Sequence, residues 1–584
     1  MTRLGFHGSM GVLAAACVCL GTAVVGGADS GPARESRAAV RFKIPRAVVP
    51  GFPAPRQDPA HVALGERLFL ETRFAQFFYE RCQGDVNTNL PAGDPVMDAT
   101  VTTDRTLPGS FAGFAMNCRA CHLVNEQAAA GRGNRTYADY AARSPVPRRE
   151  DGRTLTPRNA PPLVNASVPR EGGFFLHFDG EFPSNESLVK GTLTGRNFGW
   201  LPGEEATARR HIARVIREDD GRGPLARDFG GFSYRRVFRG GDPALGEVGE
   251  QFHLEPEHRL DVSAATDEEI FDAVARLISA YLDSLFFSRD ENAEYDGSPY
   301  DAFLETNLVP RRVEWGEAPA YYNRSLLSMV ENLREPIFIR PDTNRFRFKT
   351  LTQEFRFGPL ELQGMKVFFT QARYATNTRP ASTGGIGNCV ACHLAPDFTD
   401  FGFHNTGVAQ EEYDAIHGDG AFAQLRVPGL EERRADPEAW LPPSPRHPRA
   451  RGPFLDIPSR DHPGRTDLGL WNVFANEDLP DIQAALRRLL NGERRPKPDA
   501  EWLPRTVALF KTPGLRGLAF SDPYLHNGSK RTLEEVIDFY RRMSDLARAG
   551  RLRNGAPELA DIHLRREDVE PLVAFLRSLN EDYE

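Results

Sequence analysis

Apolar positions recur at near-helical spacing in three well-separated stretches of this 584-residue chain. In His61–Phe74 (HVALGERLFLETRF) they are Val62, Leu64, Leu68 and Phe69, which predicts a short helix facing a core. Thr266-Asp267-Glu268-Glu269 has the form of a capping box, and Ile270, Val274, Leu277, Ile278, Tyr281 and Leu282 make one apolar stripe behind it. Glu567–Asn580 (EDVEPLVAFLRSLN) predicts a similar closing helix near the C-terminus. Other stretches resist periodicity. Residues 29–60 are rich in Pro, Ala and Arg and read as an extended arm, and 81–115 is a loop of Gly, Pro and Asp. In Trp440–Arg465 repeated proline forbids helix or central strand, so an extended surface segment is expected.

At the N-terminus Arg3 precedes an apolar run from Met10 to Val25, followed by Gly26-Gly27-Ala28. The run is short for a membrane span, and small residues after it suit signal peptidase; residues 1–28 therefore read as a signal peptide cleaved after Ala28. A periplasmic protein with no stable membrane anchor is expected, a retained anchor being the alternative. Length allows two to four domains, and a net charge of -8 offers no footprint for nucleic acid.

The candidate chemistry lies in Cys118-Arg119-Ala120-Cys121-His122, which returns about 270 residues later as Cys389-Val390-Ala391-Cys392-His393. C-x-x-C-H supplies two thioethers to one porphyrin and sets the adjacent His beneath its iron. Zinc is the rival for a Cys pair plus His. Structural zinc, however, takes four ligands from two knuckles roughly 15 to 20 residues apart, whereas each pair here stands alone. Two covalent c-type haems are the expectation. Of seven cysteines, Cys17 and Cys19 leave with the signal and four hold haem; Cys82 remains, either buried and inert or free for an intermolecular bond.

An internal repeat accompanies the two motifs. RNAPPLVNASVPREGGFFLHFDGEFPSNESL (158–188) is answered by FKTPGLRGLAFSDPYLHNGSKRTLEE (510–535): each has a Pro-x-Leu loop, an aromatic or His near Asp-Gly or Asn-Gly, and a helix start. The expected fold is all-α, with two cytochrome c-like haem domains in tandem and long loop-rich insertions. The N-terminal domain would span 61–291 with an insertion at 206–263, a connector 292–350, and the C-terminal domain 351–584 with an insertion at 408–502.

The ordered set LGERLFLETRF, CRACH, RNAPPLVN, FDGE, CVACH, FTDFGFHNTGV, FKTPGLRGLAFSDPYLHNG and TLEEVIDFY resembles the bacterial di-haem cytochrome c peroxidase and MauG family from about Leu64 to the C-terminus, insertions excepted. The resemblance implies a peroxide-reactive haem and an electron-transfer haem, with calcium between them. His122 and His393 would be the proximal ligands. Opposite His393 the family places Met or Tyr, fourteen residues beyond the His of its PYxHxG motif; from His526 that position is Tyr540, and Met543 is the rival one turn on. Asn159 would give calcium a side-chain ligand, Ser521 and Pro523 backbone carbonyls. His404 and His526 would sit near haem edges or propionates.

The chain also departs from the family. Ala138 stands where many members carry a removable distal His, so an open sixth position is expected at the first haem. The family's distal Gln and Glu, about ten residues apart, are missing: Gly191 falls near the Gln, and Glu204 and Glu205 are the nearest later acids. His177 is a further candidate base or ligand, with a hydrogen-bonded core histidine as the alternative. Phe178 replaces a Trp that relays electrons. The resulting expectation is a periplasmic di-haem oxidoreductase acting on hydrogen peroxide, with a small redox protein such as a cytochrome, or an oxidised protein side chain, as electron donor. A dioxygen-binding oxygenase resembling the di-haem rubber oxygenases and a pure electron-transfer protein are the alternatives.

Overall fold

The computed structural model describes residues 58–88, 117–118, 121–122 and 143–581, the last with gaps at 145, 169, 171–172, 242–243, 245–246, 314–317, 342–347, 349–350, 373–383 and 493–494. The expected signal peptide and nearly all of the expected N-terminal arm lie outside the described residues, as do most of the loop 81–115 and Ala138. No helix among the described residues is long and apolar enough to cross a membrane.

Regular structure in the described chain is almost entirely helical. Its principal helices are α1 (Ala60–Phe69), α2 (Asn185–Leu193), α3 (Glu205–Glu218), α4 (Asp267–Asp283), α5 (Pro299–Thr306), α6 (Pro319–Glu331), α7 (Pro359–Phe369), α8 (Val408–His417), α9 (Pro480–Asn491), α10 (Leu533–Arg548) and α11 (Val569–Arg577). One antiparallel pair, β1 (Phe403–His404) and β2 (Phe510–Lys511), is the only sheet among the described residues. The capping box before α4 forms as its sequence requires: Thr266 Oγ1 accepts from Glu269 N at 3.2 Å and Thr266 N donates back to the Glu269 carboxylate at 2.7 Å. Thr532 and Glu535 do the same for α10.

Two helix crossings repeat one device. In α1 a side chain at Gly65 would overlap the Leu277 carbonyl and the Tyr281 Cβ of α4; in α7 a side chain at Gly364 would overlap the Pro571 carbonyl and the Phe575 Cβ of α11. Each first helix thus lies directly on the backbone of a closing helix, an approach that only glycine permits. Around the first crossing Leu64, Phe69, Trp200, Ile212, Phe271 and Val274 are buried in one apolar cluster; around the second are Phe303, Phe357, Met365, Phe368, Phe398 and Phe575.

Two stretches differ from their sequence reading. The expected connector contributes α5 and α6 to the second cluster, because Tyr300, Phe303, Leu304, Tyr322 and Leu326 supply apolar faces that need burial. The insertion 408–502 builds a third core around Trp471, Phe454, Phe474 and Leu486. Within it 441–465 holds no helix or strand, as the prolines require, yet Phe454 is buried, stacked on Trp440 at 6.1 Å and edge-on to Trp471 at 5.1 Å. Periodicity could not show this, since single aromatic anchors in a proline-rich segment carry none. Cys82 is buried and unbridged, its thiol 3.5 Å from the Tyr79 carbonyl.

Candidate functional site

Both C-x-x-C-H segments are wound into the same tight turn. His122 N donates to Cys118 O at 3.0 Å, and His393 N to Cys389 O at 2.9 Å. In each, the ring Nδ1 of the His sits 3.0 Å from a backbone carbonyl, Pro161 O for His122 and Phe398 O for His393. A carbonyl only accepts, so Nδ1 carries the proton and Nε2 keeps its lone pair for a metal. Burial pushes His122 down to about 4 and lowers His393 as well, so both rings are neutral ligands at pH 7. Burial also pushes the thiols of Cys118, Cys121 and Cys389 up to about 12 and raises Cys392. Such thiols are poor free nucleophiles, and each pair stands one tight turn from a neutral His with a free Nε2. The donor set at each site therefore fits a c-type haem.

Tyr540 and Met543 lie on α10, one turn apart, and Tyr540 packs against the apolar cluster that contains Met543. Burial raises the Tyr540 phenol above its ordinary value, and Cys392 and Cys389 raise it further, which places it beside the second Cys pair. Met543 is buried with Val408 and Phe539, and a side chain on Gly407 would run into its sulfur. Near the same Cys pair, His404 Nε2 is 2.7 Å from Asp400 Oδ2; against its burial, Asp400 and then Cys392 hold this imidazole up to about 11.

His177 belongs to a tight reversal closed by the Leu176–Phe182 bridge and has φ +63°, a left-handed conformation uncommon for a side-chain-bearing residue. Its Nδ1 is 3.3 Å from Glu181 Oε2, its ring stands edge-on to Phe182 at 4.9 Å, and its charge bears on His122. Glu204 and Glu205 serve the start of α3 instead. Glu204 pairs with Arg149 at 3.0 Å and accepts from Leu201 N at 2.7 Å, and Glu205 accepts from Gly203 N at 3.0 Å. Gly191 leaves no room for a longer side chain, since a Cβ there would meet the Phe182 ring at 2.8 Å.

Asn159 and Pro523, 364 residues apart in the chain, are in direct contact. The Asn159 amide donates to the Pro523 carbonyl, its backbone N donates to His526 O at 2.6 Å, and Ser521 lies two residues before Pro523. Turning that amide over would set two neutral oxygens side by side, a ligand chemistry suited to calcium. The His526 ring is buried face to face with Phe510 at 3.5 Å, and burial lowers it to about 3.

Sequence reasoning missed the group that ties this junction together. Arg158 is largely buried, its side chain 12% exposed, and is bonded to Asp467 through Nε at 2.5 Å and Nη2 at 2.8 Å, and to Asp179 through Nη1. It joins the His177 turn, the Asn159 turn and the insertion. The RNAP motif contains Arg158, but Asp467 sits in the insertion with no motif of its own.

No protein-family model matches the chain. It is 27% identical over 196 residues to the cytochrome-c peroxidase IdrP2 of Denitromonas iodatirespirans, covering 34% of this chain and 37% of that protein. With the cytochrome-c peroxidase IdrP2 of Pseudomonas sp. (strain SCT) it shares 37% identity over 78 residues, 13% of this chain and 19% of that one. The matched stretch thus spans only about a third of the first relative and a fifth of the second. Among solved structures it is similar to a MauG-like protein associated with microbial copper homeostasis (TM-score 0.39, 18% identity, 90% of each chain). It is also similar to the diheme peroxidase BthA from Burkholderia thailandensis E264 (TM-score 0.39, 18% identity, 90% of this chain and 87% of that one). The sequence relatives bear out the resemblance to the di-haem cytochrome c peroxidase and MauG family.

Proposed function

We propose that this chain is a periplasmic di-haem c-type oxidoreductase that reacts with hydrogen peroxide at the haem of Cys118, Cys121 and His122 and passes electrons through the haem of Cys389, Cys392 and His393. The observation that carries the reading is the duplicated turn in which each His donates Nδ1–H to a backbone carbonyl and leaves Nε2 for iron. The paired glycine crossings, α1 on α4 and α7 on α11, support two cytochrome c-like domains in tandem within 61–291 and 351–584.

A haem whose iron has an open face supplies peroxide binding and cleavage. His177 is the candidate for moving a proton there: its Nδ1 lies 3.3 Å from Glu181 Oε2, which would orient the ring and leave Nε2 as the acceptor. Glu204 and Glu205 are already engaged by Arg149 and by backbone N–H groups and are left out of this role. Tyr540, set beside Cys389 and Cys392, would be the residue that holds the second iron together with His393, in preference to Met543. Asn159, Ser521 and Pro523 would hold calcium at the junction. The electrons come from a small redox protein such as a cytochrome, or from a protein side chain that is itself oxidised in giving them up.

A second reading, a dioxygen-binding oxygenase, draws on one observation: Glu204 is bound to Arg149 and Gly191 has no space, so the acid and amide that assist peroxide cleavage are missing from those positions. Intact mass and pyridine haemochrome analysis of the protein matured by a c-type haem-attachment system tests the shared premise. Two covalent haems per chain are expected, and none would overturn it. Hydrogen peroxide turnover with a reduced cytochrome then supports the first reading; a stable dioxygen complex as isolated supports the second.

A further inference from the structure

Two partly buried cations near the junction, Arg170 and Lys511, are in no ion pair among the described residues. Lys511, in β2, has its backbone fixed by pairing with β1 and by donation of its N–H to Phe178 O at 2.7 Å. Burial pushes its ammonium down to about 7, Arg170 lowers it further and Asp179 opposes. Arg170 lies with its guanidinium 4.9 Å from the centre of the Phe174 ring and 4.3 Å from that of Phe401, and its Nε and Nη2 are buried without a hydrogen-bond partner. Burial lowers it to about 10, with Asp397 opposing. Of the neighbouring carboxylates, Asp397 accepts from the Tyr295 hydroxyl at 2.5 Å and Asp179 pairs with Arg158.

Guanidinium N–H groups buried without an acceptor are costly, and a second cation facing the same space adds like-charge repulsion. Both border one cavity of about 80 Å³ that Pro161, Phe178, Thr399 and Thr512 also line. Pro161 is the residue whose carbonyl holds His122; Thr399 follows Phe398, whose carbonyl holds His393. The cavity therefore adjoins both C-x-x-C-H sites. A planar fork and a point ammonium facing one space match carboxylate groups.

We propose that Arg170 and Lys511 form a carboxylate-binding pair for haem propionates at the junction of the two C-x-x-C-H sites. This rests on the two-haem reading above, whose haems carry no other anionic side groups. A cation paired with a propionate offsets negative charge close to the iron and favours its reduced state, so the pair would raise the potential of the haem it holds.

The test uses the holoprotein with Lys511→Met, Arg170→Met, the double variant, and the charge-keeping Lys511→Arg and Arg170→Lys. Intact mass reads haem attachment, and spectroelectrochemical titration reads both potentials, with and without added acetate. Full attachment is expected throughout, with a lower potential of at least one haem in each Met variant, a larger fall in the double variant, and values near wild type when charge is kept. Unmoved potentials in fully loaded variants would overturn the inference and leave the two-haem reading standing. A wild-type potential that shifts with acetate, and loses that response in the Met variants, would assign the cavity to an external carboxylate and overturn it too. A wild-type chain without covalent haem would defeat the reading beneath both.

Discussion

Replacing Arg158 by Met removes the cation that serves two buried carboxylates at once. The Asp179 side chain is 3% exposed and that of Asp467 is 5% exposed. Removing one partner of a buried ion pair costs about 3–5 kcal/mol, because the other charge is left uncompensated. Here three charge-assisted bonds disappear and two carboxylates are stranded, so Arg158→Met belongs at the upper end of that range. Asp467→Asn keeps the contact of Arg158 with Asp179 and neutralises the lost acceptor, for about 1–3 kcal/mol. The double variant strands one carboxylate instead of two and should be more stable than the sum of the single changes predicts. Urea unfolding at pH 7, followed by tryptophan fluorescence, orders the variants: Arg158→Met lowest, Asp467→Asn between it and wild type, the double variant above its additive value. Arg158→Met within about 0.5 kcal/mol of wild type, the range of an ordinary surface change, would refute the argument.

Other expectations follow from particular side chains. His211 Nε2 donates to Arg73 O at 2.7 Å, and burial lowers the imidazole to about 4. A buried base depressed in this way contributes stability that is fully present above the unfolded value near 6.5 and is lost as pH falls toward 4, at about 1.4 kcal/mol per unit; His211→Gln should flatten that part of a pH series of urea midpoints, and an unchanged slope would refute the assignment. Cys118→Ser with Cys121→Ser should leave one covalent haem by intact mass, and the same pair of changes at Cys389 and Cys392 the other. Tyr540→Met should alter the optical and magnetic spectra of the second haem, whereas Met543→Leu should leave them unchanged and cost under about 1.5 kcal/mol as a near-isosteric core change.

The reach of the sequence varied with the kind of signal. Capping boxes and apolar stripes are local, and α4 and the closing helix appear where their residues require. Short motifs carried the C-x-x-C-H turns and the approach of Asn159 to Pro523. What stayed hidden depends on distant partners. Arg158 is an ordinary arginine until Asp467 arrives from the insertion, and Arg170 and Lys511 are ordinary surface residues until folding buries them around one cavity. Gly65 and Gly364 could have been read as matched close approaches, but neither lies in a turn motif. Glu204 and Glu205 were selected by distance along the chain, and their engagement at the start of α3 is a three-dimensional fact.

The central claim is a peroxide-reactive first haem working with a six-coordinate second haem. Electron paramagnetic resonance and optical spectra of the ferric protein, recorded before and after hydrogen peroxide, test it most directly. The account predicts one high-spin and one low-spin haem, with both spectra changed by peroxide; two low-spin haems indifferent to peroxide would contradict it and leave an electron carrier.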